Sequence, residues 1–352
     1  LDSKVFANQL INWYHSNFRD LPWRKTNDPY RIWLSEIILQ QTRVAQGLPF
    51  YERFIEEFPT VFDLAKASET EVLRLWQGLG YYSRARNLHS CAKTLVKDFG
   101  GVFPSEFEEL LKLKGVGRYT AAAIASFAFN KPNAVVDGNV YRVLSRVFGI
   151  EADISSSKGP KVFEAKANKL LDKKRSHLYN QAIMEFGAIQ CTPKSPSCAL
   201  CPFSANCIAF NTNRISDFPV KTKKTKVRKR YFTYLVFEND GQVWMNERGN
   251  GDVWQGLFDF YLVESSKNLN QETVISELFE NGIRRSIIGE ESKLYEHVLT
   301  HQRIFANFVK IELKEADIPH FEKAYPHLKK YTLEYVDILP KPVLISKYLE
   351  DQ

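Results

Sequence analysis

The sequence predicts two domains of different class: an all-α domain over residues 1–210 and an α+β domain over 231–352, joined by a basic linker at 211–230. Three observations carry this. Up to Cys207 the apolar residues recur at helical spacing and several stretches begin with helix-start signals. From Tyr231 onward the pattern changes to aromatic and β-branched runs broken by turn residues. Between them, Lys221 to Arg230 reads KTKKTKVRKR, a polar run with no apolar period, whose charge is more often solvation than a binding site. A chain of 352 residues is too long for one ordinary domain and suits two cores.

Taken in order, Asp28-Pro29 is a helix start, with Asp as N-cap and Pro in the first turn, and Tyr30 to Thr42 follow at helical spacing. Ser68 with Glu71, and Ser105 with Glu108, read as two capping boxes. Further helices are expected near 45–57, 82–98, 118–129, 138–148, 160–172 and 177–189. In the second domain Tyr231 to Phe237 is a strand, Asn239-Asp240-Gly241 a hairpin turn, and Gln242 to Asn246 its return. Phe258 to Val263 reads as another strand, 271–281 as a helix, and 293–299 with 303–313 as a hairpin around Thr300-His301-Gln302.

Hydrophobic residues make up 44% and charged residues 25%, the balance of a soluble globular protein. No apolar run approaches the length of a membrane span, and Leu1 to Phe18 lacks the charged-then-apolar order of a signal peptide. The expected compartment is reducing and intracellular: cytoplasmic, or nucleoid-associated in a bacterium. A net charge of +7 permits a polyanionic partner without requiring one. Of five cysteines, Cys91 reads as a small buried hydrophobe. Cys191, Cys198, Cys201 and Cys207 stand with six, two and five residues between them. Disulfides are improbable in such a compartment, so a metal is the better account. Zinc sites usually pair two close-spaced knuckles, and only Cys198 and Cys201 form one here. Four thiolates in one tight loop can instead wrap an iron–sulfur cubane, which the spacing favours mildly.

Leu113-Lys114-Gly115-Val116-Gly117-Arg118 lies between two helical patterns. A two-glycine turn lets backbone approach another object closely, and the next helix opens there with free N–H groups that suit a phosphate. A lone Gly-x-Gly is usually a plain turn. Here Tyr119 is followed by Thr120 and three alanines that allow close helix packing, and Val135-Val136-Asp137-Gly138-Asn139-Val140 later sets an acid at the mouth of a new helix.

These two motifs and the cysteine loop, in that order, resemble the helix-hairpin-helix base-excision DNA glycosylases, a family that includes endonuclease III and the MutY-type adenine glycosylases. The resemblance spans about Val5 to Cys207. It implies a [4Fe-4S] cluster on the four cysteines, a DNA partner, and a role for Asp137 in stabilising the sugar cation as the glycosidic bond breaks. It also implies that Gly115, Val116, Gly117 and Arg118 hold the DNA backbone. Endonuclease III carries a nucleophilic lysine after Gly-Val-Gly-Arg, whereas this chain has Tyr119, which has no amine. The alternative reading, an oxidised-pyrimidine glycosylase with lyase activity, therefore lacks its nucleophile.

Glu36 sits in the nearly apolar stretch Trp33 to Thr42. A carboxyl there is either paired or functional, and the residues alone favour a structural ion pair. Burial would raise its pKa and let it act as an acid near neutral pH. The stretch resembles the active-site helix of the adenine glycosylases, whose glutamate protonates adenine, and two carboxylates, one for the base and one for the sugar, match the logic of a retaining glycosidase. On the same resemblance Arg24 and Trp23 (in Leu21-Pro22-Trp23-Arg24) and Glu185 would read the flipped adenine, and Asn139 would orient Asp137. Gln41 and Tyr81 would form the wedge that fills the emptied stack, since flipping a base costs a few kcal/mol, and Thr42 would contact the lesion or the DNA.

Gly251 to Phe260, with helix 271–281, resembles a Nudix fold. A working Nudix hydrolase needs an Arg-Glu-x-x-Glu-Glu helix for Mg²⁺, and residues 271–286 offer only Glu272, Glu277 and Glu280 in another arrangement. The fold is thus expected to serve binding. His297-Val298-Leu299-Thr300-His301 resembles the loop with which adenine glycosylases read oxidised guanine, commonly His-x-Phe-Ser-His. Thr300 keeps the hydroxyl and His301 the ring, while Leu299 removes the aromatic wedge. The resemblance implies a monomeric adenine glycosylase acting on adenine opposite 8-oxoguanine or guanine in double-stranded DNA.

Overall fold

A computed structural model describes residues 1–223, 226–267 and 269–352, with the side chain of Gln271 excluded. Lys224 and Thr225 of the expected linker lie outside the described residues. The chain divides into two compact units, Leu1–Lys66 with Asn87–Lys224, and Ala67–Arg86 with Thr225–Gln352.

Helices dominate the first unit. The first, α1 (Ser3–Asn17), is capped by Asp2, whose carboxylate accepts from Lys4 N at 2.8 Å. It is followed by α2 (Pro29–Ile38), α3 (Val44–Glu57) and α4 (Val61–Lys66). Asp28 caps α2 as its sequence predicts, accepting from Tyr30 N at 2.9 Å. The helix stops at Ile38, however, short of Thr42, because Gln41 takes a left-handed conformation (φ 56°) and turns the chain out. Next in the chain come α5 (Glu69–Trp76), which belongs to the second unit, α6 (Ser83–Phe99), which begins in the second unit and continues in the first, and α7 (Phe107–Leu110), again in the first. Ser68 and Glu71 close the expected capping box on α5, an arrangement worth about 1 kcal/mol. The second box does not form. Ser105 bonds the Glu106 side chain instead, Glu106 is the cap residue, and α7 is a single turn with no side-chain cap.

The rest of the unit is α8 (Arg118–Phe129), α9 (Gly138–Phe148), α10 (Gly159–Leu170), α11 (Ser176–Glu185) and α12 (Ile208–Asn211). A π-turn over Phe186–Gln190 continues α11 towards the cysteines. Phe6, Leu10, Ile11 and Tyr14 of α1 pack with Val143 and Val147 of α9, Phe163 of α10, Tyr179 and Ile183 of α11, and Phe203. The N-terminal helix thus closes onto the half of the unit that carries Asp137 and the cysteines.

The second unit is built on an eight-stranded sheet. Its strands are β1 (Arg228–Asn239), β2 (Gln242–Glu247), β3 (Phe258–Asp259), β4 (Tyr261–Ser265), β5 (Ile287–Glu291), β6 (Tyr295–Val298), β7 (Gln302–Glu312) and β8 (Lys329–Thr332). β1 pairs in parallel with β7 and antiparallel with β2 and β4. Asp240 and Gly241 both have positive φ (47° and 69°), the requirement of a tight hairpin turn between β1 and β2. The helices are α13 (Gln271–Glu280), α14 (Ile318–Ala324), α15 (Leu333–Ile338) and α16 (Val343–Glu350). Leu235, Phe237, Trp244, Val274, Leu278, Val309, Ile311 and Phe321 form a core between sheet and helices. The expected linker is not all connector: Arg228–Arg230 open β1, because Arg230 is buried with carboxylate partners. Within this unit α5 and its following turn are tied down by Gln77, which donates to Ser346 Oγ (3.1 Å) and accepts from Lys341 N (3.2 Å).

Candidate active site

Helix α2 is buried along almost its whole length, and Glu36 is carried into the interior with it, 6% exposed. Its carboxyl accepts a hydrogen bond from the Tyr119 hydroxyl at 2.6 Å. Burial is the main influence on Glu36 and pushes its pKa up to about 7; the Tyr119 bond opposes this, the nearby Asp137 charge adds to it, and Arg24 opposes it. Tyr119 itself is raised by burial and by the two carboxylates, so its phenol stays protonated and donates.

Asp137 is the N-cap of α9. One oxygen accepts from Val140 N (2.8 Å) and the other from Asn139 Nδ2 (2.7 Å). Burial raises its pKa, while those two hydrogen bonds and the start of the helix favour its anion. Asn139 is held in turn by Arg142, whose guanidinium donates to Asn139 Oδ1 (2.9 Å), Gly187 O (2.6 Å) and Cys191 O (2.7 Å). Gly187 is needed there: a Cβ on it would stand 2.6 Å from that of Asn139. Sequence reasoning missed Arg142, although its position three residues after Asn139 on one helix face could have suggested it.

Glu36, Tyr119, Asp137, Asn139, Trp23 and Arg24 line one cavity of about 610 Å³, together with Thr42 and Glu185. This is ample for a nucleobase. Glu185 is 1% exposed and accepts from Arg19 N, Nε and Nη2 and from Arg24 Nη2 at 2.6–2.9 Å. Burial would raise its pKa, but these bonds overcome it and hold it at about 2. All four acceptor positions are therefore taken, which makes Glu185 the anchor of Arg19 and Arg24 as the cavity stands. Arg19, also missed, lines the same cavity. Gln41 does not line it.

The hairpin lies on the same unit. Gly115 has φ 79°, and a Cβ there would meet Asn87 at 2.8 Å. Gly117 is the exposed N-cap of α8 and supplies no side-chain cap, which leaves the helix start in the form that an anion site uses. Val116 is buried, and Arg118 is exposed but paired with Glu164 at 3.0 Å. The four cysteines form no disulfide and together line a cavity of about 20 Å³ with Arg146. Arg146 donates to Cys191 Sγ (3.6 Å) and to the carbonyls of Thr192, Pro193 and Ile215. Among the described residues no three His, Cys, Asp or Glu side chains gather closely enough for a single metal ion. The four cysteines, which the sequence sets with six, two and five residues between them, thus line one common cavity.

In the second unit Tyr81, Leu299, Thr300 and His301 line a separate cavity of about 480 Å³ with Trp254 and His297. The Tyr81 hydroxyl bonds Thr300 Oγ1. Tyr81, like Gln41, is a non-glycine residue at positive φ (49°), a conformation that costs of order 1 kcal/mol and is retained where the surroundings enforce it. No helix among the described residues is long and apolar enough to cross a membrane.

Comparison with known proteins places these features. Residues 34–173 match the HhH-GPD superfamily of base excision DNA repair proteins, and residues 233–351 match the NUDIX domain. The chain is similar to an adenine DNA glycosylase of Buchnera aphidicola subsp. Baizongia pistaciae, 33% identical over 318 residues, which covers 89% of this chain and 88% of that protein. An adenine DNA glycosylase of Homo sapiens is 36% identical over 330 residues, 78% of this chain and 60% of that one. Among solved structures, a thermostable thymine-DNA glycosylase is similar with a TM-score of 0.56 and 32% identity over 60% of this chain and 97% of that chain.

Proposed function

The chain belongs to the adenine DNA glycosylases, within the helix-hairpin-helix superfamily of base-excision repair proteins, and from that premise we propose that it hydrolyses the N-glycosidic bond of adenine paired with 8-oxoguanine or guanine, without lyase action. The observation that carries the reading is the placement of Glu36: a buried carboxyl that lines the same cavity as Asp137 and that burial pushes up to about 7. Adenine turned out of the duplex occupies the cavity between Trp23, Arg24 and Glu36. Glu36 gives its proton to a ring nitrogen, the bond from C1′ to the base breaks with its electron pair leaving on adenine, and the Asp137 carboxylate stabilises the sugar cation. Water then adds to C1′ and releases a proton. Asn139, held by Arg142, keeps Asp137 aimed.

Tyr119 holds Glu36 and has no amine with which to form a Schiff base, which supports base removal alone. The hairpin at Gly115–Arg118 grips the DNA backbone, Gln41 enters the emptied stack and Thr42 contacts the DNA, while Tyr81 acts from the second unit, where it bonds Thr300. Leu299, Thr300 and His301 read the base opposite adenine, in a Nudix-like domain whose α13 lacks the Arg-Glu-x-x-Glu-Glu helix of a hydrolase. Cys191, Cys198, Cys201 and Cys207 would hold a [4Fe-4S] cluster, which when bound staples the loop 191–207. The enzyme acts as a monomer on cellular DNA.

The test is single-turnover excision from adenine:8-oxoguanine and adenine:guanine duplexes at one fixed salt, since phosphate contacts make affinity salt-dependent. Glu36→Gln is expected to abolish release while keeping affinity for the duplex. An active Glu36→Gln enzyme would remove the proposed acid.

A further inference from the structure

Arg230 ends the basic run of the sequence, yet it is 5% exposed, and all five of its N–H groups are used. Nε donates to Glu264 Oε1 (2.7 Å) and Nη2 to Glu264 Oε2 (2.5 Å), a bidentate pair with β4. Nη1 and Nη2 clasp Asp252 at 2.7 and 2.8 Å, and the remaining Nη1 proton goes to Gln302 Oε1 at 3.0 Å. One guanidinium on β1 thus joins the segment before Trp254 to the first residue of β7, which directly follows Thr300-His301. Neighbouring bonds run the same way. Arg248 donates to Asp252 (2.9 Å) and to Val253 O (3.0 Å), and Arg228 N donates to His301 O (2.9 Å). Trp254, at φ 65°, then meets His297 edge-on at 5.4 Å, so both walls of the 480 Å³ cavity are set from this point.

We propose that Arg230 is a positioning residue for lesion discrimination: without entering the cavity, it fixes the spacing between the Asp252–Trp254 segment and the Leu299–His301 turn. The inference rests on the reading that this turn contacts the base opposite adenine. A planar fork with five donors can bridge three acceptors at once, whereas lysine, a point charge with three donors, cannot clasp two carboxylates bidentately. Arg230→Lys therefore keeps the charge and loosens the geometry.

The experiment measures single-turnover adenine excision opposite 8-oxoguanine and opposite guanine, with burst amplitudes giving the active fraction. For Arg230→Lys the ratio of the two rates is expected to fall about tenfold, the worth of one mis-set hydrogen bond to the lesion, with the rate opposite guanine unchanged. Glu264→Gln, which loosens the clasp from the other side, is expected to lower the ratio about threefold. Should Arg230→Lys give no burst, Glu264→Gln decides. Equal slowing on both duplexes, or an unchanged ratio in both variants, overturns the proposal. His301→Ala measured in parallel separates the premises: if it leaves the ratio intact, the reading of the turn fails. If it lowers the ratio while the Arg230 and Glu264 variants do not, only the positioning role fails.

Discussion

Replacing Glu36 with glutamine tests the chemistry through stability, independently of any substrate. Burial raises this carboxyl from 4.5 to about 7. In the interval between those values the folded protein holds a proton that the unfolded chain has released. Stability therefore falls as pH rises through the interval: the contribution is fully present below 4.5 and lost once pH passes about 7. At 1.36 kcal/mol per unit, the shift amounts to roughly 3 kcal/mol. Glutamine keeps the shape and can still accept from the Tyr119 hydroxyl, but it cannot ionise. Any cost of its buried amide is the same at every pH.

The quantity to follow is thus the difference between variant and parent across pH 4 to 8.5. Glu36→Gln should gain on the parent by about 3 kcal/mol over that range, roughly 6–12 °C in the melting of a unit of this size. Groups common to both proteins cancel in the difference, which a series of thermal or urea melts supplies. A difference flat with pH would mean that Glu36 ionises normally in the folded protein, and the proton proposed for adenine would not be there. A difference of opposite slope would mean that a cation stabilises the carboxylate.

Three further outcomes are expected. Purified protein should be yellow-brown and contain about four irons per chain, with little zinc, by metal analysis; a colourless, active preparation with one zinc would remove the cluster. Borohydride should trap little of the unmodified protein on DNA, and Tyr119→Lys should introduce trapping; efficient trapping by the parent at the rate of base release would contradict a reaction without lyase action. His301→Ala should spare excision opposite guanine and lower the preference for 8-oxoguanine about ten- to a hundred-fold, from the loss of one or two hydrogen bonds worth roughly 1–3 kcal/mol.

The parts of the fold legible in the sequence are those whose local chemistry agrees with their packing. Asp28-Pro29, Ser68 with Glu71, and Asp240-Gly241 announce a helix start, a capping box and a hairpin because cap and turn geometry depend on a few adjacent residues. The failures lie where a distant partner decides. Ser105 and Glu108 have the right spacing for a box, but α7 lasts one turn and Ser105 bonds its neighbour's carboxylate. The pattern of α2 runs on to Thr42, yet the backbone turns at Gln41. Arg230 looks like part of a solvated run until Asp252 and Glu264, 22 and 34 residues away, are brought to it. Edge elements such as β5 and β8 carry mixed, partly exposed sequences without a clear period.

The site divides in the same way. Glu36 and Asp137 stand out in sequence as carboxyls in apolar or helix-opening surroundings, and the fold brings both to one cavity. Of the groups around them Arg24, Glu185, Asn139 and Tyr119 are legible in the sequence, but Arg19 and Arg142 are not, since an arginine in a loop or on a helix face is ordinary until its partners are known. Arg19 and Arg24 saturate Glu185, and Arg142 holds Asn139 while donating to the carbonyl of Cys191. The consequence is a difference between three acids of one cavity. Buried Glu185, with two guanidiniums, is fixed as an anion; half-buried Asp137, held by one N–H and one amide, is raised by burial against those bonds; buried Glu36, which accepts from the Tyr119 phenol, is raised to about 7 and can carry a proton near neutral pH. The proposed division of roles thus follows how many donors each carboxylate receives, and replacing the residues that supply those donors tests it as directly as replacing the acids themselves.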